Sequence, residues 1–153
     1  MLAALAVLLP GVAYATTKFM TQDSDGIDDG YVAAWGSSGG AMRYGAVTYT
    51  YQGNGNYNMD VAQVDYVNNS SPFYGTTLYF TNEFYLDALD WQTGEWVDVA
   101  TDLYNTSVAP GHDSLLVWDM NFTAHWTGGL KCGAAGKLNG NPTWQAWVET
   151  VPF

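Results

Sequence analysis

From Leu116 to Trp126 two sets of side chains alternate without a break. Leu116, Trp118, Met120, Phe122, Ala124 and Trp126 form one set, and Val117, Asp119, Asn121, Thr123 and His125 form the other. A period of two sends successive side chains to opposite faces of a pleated strand, so this stretch predicts a long strand with one buried face. Ala41 to Tyr51 repeats the pattern through Val47, Tyr49 and Tyr51. Gly53-Asn54-Gly55-Asn56 follows as a turn, because Asn-Gly supplies the positive φ that tight hairpins need. Asn58 to Val67 predicts the returning strand, and its pattern slips between Met59/Val61 and Val64/Tyr66, which predicts a β-bulge.

Shorter segments fill the rest. Tyr31 to Trp35 and Thr76 to Thr81 read as strands. Phe84 to Trp91 and Glu95 to Val99 read as a hairpin around Gln92-Thr93-Gly94. A helix over Glu83 to Trp91 competes there, because Phe84, Asp87, Ala88 and Trp91 also fit helical spacing. Leu130 to Pro142 reads as a Gly-rich loop. Thr143 to Val151 reads as the last strand, with Trp144, Ala146 and Val148 on one face and Trp147 on the other. About eight strands joined by short turns predict an all-β fold, an antiparallel two-sheet sandwich or jelly-roll-like domain. A chain of 153 residues has room for one such core, which assigns residues 16–153 to a single domain.

The first fifteen residues differ. Met1 to Leu9 is apolar and uncharged, Pro10-Gly11 breaks it, and Ala13-Tyr14-Ala15 supplies a small-x-small site. This is the pattern of a secretory signal peptide, although no Lys or Arg precedes the apolar run. Fifteen helical residues reach about 22 Å, short of a hydrocarbon core of about 30 Å, so no stable membrane span is expected after maturation. The alternative is an apolar N-terminal arm that a neighbouring subunit buries. Either reading places the protein outside the cytoplasm, secreted or at the cell surface.

Charge narrows the partners. Fifteen Asp and Glu face four Lys and Arg, for a net charge of −11. Phosphate binding depends on basic side chains, so nucleic acid is excluded and anionic lipid is disfavoured. Charged residues are only 12% of the chain while aromatics are 16%, so Asn, Thr, Ser, Gly and Tyr must coat the surface. The one cysteine, Cys132, cannot form an intrachain disulfide and reads as a small buried side chain, with an intermolecular link or a metal ligand as the sharper alternative.

Five groups of residues carry candidate chemistry. Asp23, Asp25, Asp28 and Asp29 fall within seven residues that include Gly26, a spacing that can wrap Ca2+ in oxygen ligands. The run resembles the Asp-rich calcium loops of secreted repeat proteins. It departs from the EF-hand, since Ala34 stands where the closing Glu belongs, and further ligands would have to come from Asp60 or Asp65. The plain alternative is a solvated acidic turn. Asn-x-Ser/Thr occurs at Asn68, Asn69, Asn105 and Asn121, the glycosylation pattern. Trp91, Trp96 and Trp147, with Trp35 and Trp144, could form a platform on which sugar rings stack; the plain alternative is core filling. His112-Asp113-Ser114 holds triad residue types, but neighbours on one loop cannot converge as a triad. Any two of Glu83, Glu95 and Glu149 would supply the carboxylate pair of a glycoside hydrolase, without a flanking motif to support it.

Three functions follow. The first is a non-enzymatic subunit of an extracellular filament, pilus or surface array. It would assemble as a homo-oligomer by strand complementation through the N-terminal arm, or through Thr16 to Met20. The second is a carbohydrate-binding module or lectin whose Asp-rich loop holds calcium. The third is a secreted hydrolase.

Overall fold

The computed structural model describes residues 13–23 and 39–153. The expected strand at Tyr31 to Trp35 and the segment before Ala13 lie outside the described residues. Nine strands are present among the described residues and all pair antiparallel. They are β1 (Thr16–Phe19), β2 (Gln22–Asp23), β3 (Gly40–Gly53), β4 (Asn56–Asn68), β5 (Leu78–Asp90), β6 (Glu95–Val108), β7 (Asp113–His125), β8 (Leu130–Leu138) and β9 (Ala146–Glu149). One sheet runs β1-β3-β4-β7 and the other β2-β9-β8-β5-β6. The chain crosses between sheets after β4 and again after β6, and β7 returns beside β4. The β5–β6 hairpin is thereby laid over the β4–β7 pair, so the protein is an all-β sandwich, as the alternation predicted.

The inward faces make one core. Tyr66, Phe80, Phe84, Met42, Met59, Leu86 and Leu130 are fully buried. Phe84 stacks on Trp118 across the sheets with ring centres 6.1 Å apart, and Phe80 meets Tyr66 at 4.8 Å. Tyr49 stacks on Phe153 at 4.3 Å and closes one end. The bulge falls where the pattern slipped. Asp60 is skipped between Met59 and Val61 in both ladders of β4, so Met59 and the set Ala62, Val64 and Tyr66 point inward despite opposite parity.

Four expectations need correction. Glu83 to Trp91 is not helical. β5 is one strand from Leu78 to Asp90, because Asn82, which broke the apolar pattern, faces the core and accepts a 2.6 Å hydrogen bond from Tyr66 Oη. The expected loop at Leu130 to Pro142 is in its first nine residues β8, inside the five-stranded sheet. Trp144 does not share a strand face with Ala146 and Val148, since β9 begins only at Ala146. Finally, Thr16 to Phe19 pairs with β3 of its own chain, from Thr16 opposite Tyr49 to Phe19 opposite Ala46. Met20 N–H then donates to Gly45 O at 2.9 Å, and this segment is therefore committed to its own sheet.

Candidate functional site

The outer face of the five-stranded sheet is built in cross-strand rungs. Asp98, Asp87 and Lys131 stand side by side on β6, β5 and β8. Thr101, Tyr85, Gly133 and Glu149 form the next rung, reaching β9, and Leu103, Glu83, Ala135 and Trp147 form a third. Period-two alternation explains the set, because Phe84, Leu86 and Ala88 of β5 take the core and leave Glu83, Tyr85 and Asp87 outside. An open cavity of about 520 Å³ lies over these rungs, within the range of roughly 300–1,000 Å³ typical of small-ligand sites. Trp147 and Trp144 both line it, together with Glu83, Tyr85, Asp87 and Glu149.

Gly133 makes the floor. A side chain there would place its Cβ 2.2 Å from Tyr85 Cζ, so only glycine lets the Tyr85 ring lie across β8. Tyr85 Oη thereby donates to Glu149 Oε2 at 3.2 Å, and Lys131 Nζ pairs with the same oxygen at 2.9 Å. Lys131 also stands over the Trp96 ring, 4.9 Å from its centre, a cation–π contact. Burial first, and then the Glu149 charge, push the Tyr85 phenol far up, so it stays a donor.

Asp87 and Asp98 are direct register partners beside a bulge at Leu86/Asp87. Like charges placed opposite one another on a sheet repel. Asp87 Oδ1 is buried and has no hydrogen-bond partner among the described residues. A proton on Asp87 supplies the missing donor. Burial, and then the hydrogen bond to Asp98, push the Asp87 carboxyl up to about 7.

Trp144 reaches the cavity from the β8–β9 connection. Gln145 pins that connection: its Oε1 accepts from Leu138 N at 2.8 Å and from Asn141 Nδ2 at 3.1 Å, and its N–H donates to Gly136 O at 3.0 Å. Lys137 stands over the Trp144 ring at 4.8 Å.

The residues singled out from sequence fare unequally. Trp147 lines the cavity, Trp96 backs it through Lys131, and Trp91 stands apart in the β5–β6 turn, 74% exposed. Glu83 and Glu149 meet in the cavity, whereas Glu95 lies at the start of β6 and does not line it. Asn69, Asn105 and Asn121 are exposed, but Asn68 is buried. The Asn68 amide donates to Thr76 O and Val108 O at 2.9 and 3.0 Å, and its carbonyl accepts from Ser70, so in the folded protein this nitrogen is already committed.

The Asp23 backbone pairs with Val148 in β2, while Asp25, Asp28 and Asp29 lie outside the described residues. Asp65 Oδ2 accepts from Arg43 Nε and Nη2 at 2.9 and 2.6 Å, and Asp60 lies exposed at the bulge. No group of three or more His, Cys, Asp or Glu that could hold a metal ion occurs among the described residues. Asp113 pairs with Arg43 and Ser114 with Thr106, so neither joins exposed His112 in a triad. Cys132 is fully buried, and burial pushes its thiol far up.

Sequence reasoning missed Tyr85, Asp87, Asp98 and Lys131. The alternation of Glu83, Tyr85 and Asp87 was a usable signal once β5 was read as one strand.

No family model and no curated protein matches the chain. Among solved structures it is similar to a mutant of a family 29 carbohydrate-binding module, studied for its mechanism of ligand recognition. That similarity has 15% identity and a TM-score of 0.23, over 91% of this chain and 84% of that one.

Proposed function

We propose that the protein is a secreted, non-enzymatic carbohydrate-binding module that takes a neutral glycan on the outer face of the five-stranded sheet. The observation that carries this reading is the cavity in which Trp144 and Trp147 stand beside Glu83, Tyr85, Asp87 and Glu149. Aromatic faces suit the apolar faces of pyranose rings, and fixed carboxyls suit their hydroxyls. The charge balance favours neutral sugars. Four carboxyl side chains and one ammonium line the cavity, so a uronate or a sulfated glycan would meet net repulsion.

The test is binding to a panel of neutral tetrasaccharides (β-1,4-glucan, β-1,3-glucan, β-1,4-mannan, β-1,4-xylan and α-1,4-glucan), with polygalacturonate as the anionic comparison. Trp147→Ala should weaken the best ligand by about 10- to 100-fold, the range for losing a central aromatic anchor. Trp91→Ala should leave it unchanged. Equal losses in both variants, or a preference for polygalacturonate, would sink the reading.

Filament assembly is the second reading, and the sheet edges favour it. Among the described residues β6 pairs only with β5 and β7 only with β4, and these two edge strands each exceed ten residues. Val97, Val99, Leu103, Leu115 and Val117 are exposed along them. Long apolar edges invite strand addition. Since Thr16 to Phe19 is spent on its own β3, the donor would have to be residues 1–15. Electron microscopy of the purified protein with and without those residues separates the two readings.

A further inference from the structure

We propose that glycan binding in this cleft is coupled to one proton on Asp87, so that the site is assembled in acid and loosens above neutrality. The inference rests on the glycan reading and adds its regulation.

The coupling runs through Lys131. This ammonium is the register partner of Asp87 on β8 and is already bonded to Glu149, which in turn receives Tyr85 Oη. While Asp87 keeps its proton it donates to Asp98 and makes no demand on Lys131. The floor, from Lys131 through Glu149 to Tyr85, stays intact. When Asp87 ionises, two like charges face each other across the β5–β6 ladder, and the nearest cation is Lys131. Lys131 is then drawn from Glu149 toward Asp87, which releases the carboxylate that holds Tyr85.

The charged and titratable groups that face Asp87 are Asp98 on β6, Lys131 and the buried Cys132 on β8, Glu149 on β9, and Tyr85 on its own strand. Lys131 alone among them is a cation, so ionisation has one counter-charge to recruit. Burial, and then the hydrogen bond to Asp98, push the Asp87 carboxyl up to about 7, which puts the change within an ordinary experimental range.

Linkage gives the sign. If the complex keeps a proton that the free protein loses, affinity is flat in acid and falls with pH above the free value, by at most about tenfold per pH unit. The experiment is calorimetry from about pH 5 to about pH 9, using the tightest-binding tetrasaccharide of the panel, in buffers of different ionisation enthalpy. The expected result is a falling affinity above neutrality, with proton uptake approaching one per ligand. Asp87→Asn cannot ionise and should flatten the profile at whatever affinity it retains. A carboxyl NMR titration of the ligand-free protein should show one Asp side chain with an inflection near neutrality that Asp87→Asn removes.

Binding with a flat profile, or an unchanged pH slope in Asp87→Asn, overturns this inference and leaves the glycan reading standing. No binding by any panel member at any pH overturns the glycan reading and this one with it. If the variant fails to fold, the wild-type proton uptake decides alone.

Discussion

Gly133→Ala should damage the cleft through a single side chain, and its cost can be worked from the geometry. The backbone φ at Gly133 is not in the left-handed region, so alanine is conformationally allowed. The obstacle is Tyr85, whose Cζ and Oη would lie 2.2 and 2.3 Å from the new Cβ. Both atoms are at the far end of a side chain, so the ring can leave without moving the sheet. Leaving costs the Tyr85–Glu149 hydrogen bond, about 1.5–3 kcal/mol for a charged acceptor. A strained rotamer adds about 0.5–1.5 kcal/mol. Replacing glycine inside a strand returns about 0.5–1 kcal/mol. The net destabilisation is about 1–4 kcal/mol, or roughly 2–16 °C in Tm for a domain of this size. Denaturant and thermal unfolding of Gly133→Ala, Tyr85→Ala and the double variant test it. With Tyr85 removed, Gly133→Ala should become neutral or slightly stabilising. If it costs as much without the tyrosine as with it, the ring is not what excludes a side chain, and the floor described for the cleft is wrong.

Other consequences are equally direct. Phe84→Ala removes a fully buried ring that packs on Trp118 and Tyr104, and should cost about 3–5 kcal/mol in chemical unfolding. Tyr66→Phe strands the buried Asn82 carbonyl and should cost about 1–3 kcal/mol, whereas a cost near zero would show that the amide finds another partner. The raised Asp87 carboxyl makes the folded state bind a proton more tightly than the unfolded chain. Its stability contribution is therefore full below the ordinary value of 3.8 and is lost as pH rises toward about 7, and Asp87→Asn should flatten that decline in Tm. Cys132 should resist alkylation in the native protein and react on unfolding, since the thiol is buried and its thiolate disfavoured. If the Asp23 to Asp29 run takes Ca2+, calorimetry gives binding heat that Asp25→Ala removes; no heat in either form takes calcium out of the account.

The sandwich was legible where one face meets core and the other meets water. β7 shows this best: Trp118 and Met120 are buried while Asp119 and Asn121 are exposed. The bulge at Asp60 was legible too, as a slip in parity. β8 was not, because Gly133, Ala134, Ala135 and Gly136 carry no strand preference of their own. They are small because Tyr85 covers one face and the core presses on the other, and neighbours set that demand rather than local sequence. The candidate site suffered the same way. Asp98, Tyr85, Lys131 and Glu149 sit on four strands and meet only through register, which no spacing along the chain encodes. Trp144 and Trp147 were separated by assuming one continuous strand through both, whereas the connection pinned by Gln145 brings them to one cavity.

The central claim is that ligand chemistry resides on the outer face of β5, β8 and β9. Chemical-shift mapping of the indole and backbone amide signals, during titration with the tightest-binding neutral tetrasaccharide, tests it most directly. Shifts should concentrate at Trp144, Trp147, Tyr85 and Glu83, with Trp91 and the buried Trp118 unmoved. Shifts gathered instead along Val97 and Val99 of β6 or Leu115 and Val117 of β7, or none at all, would contradict it.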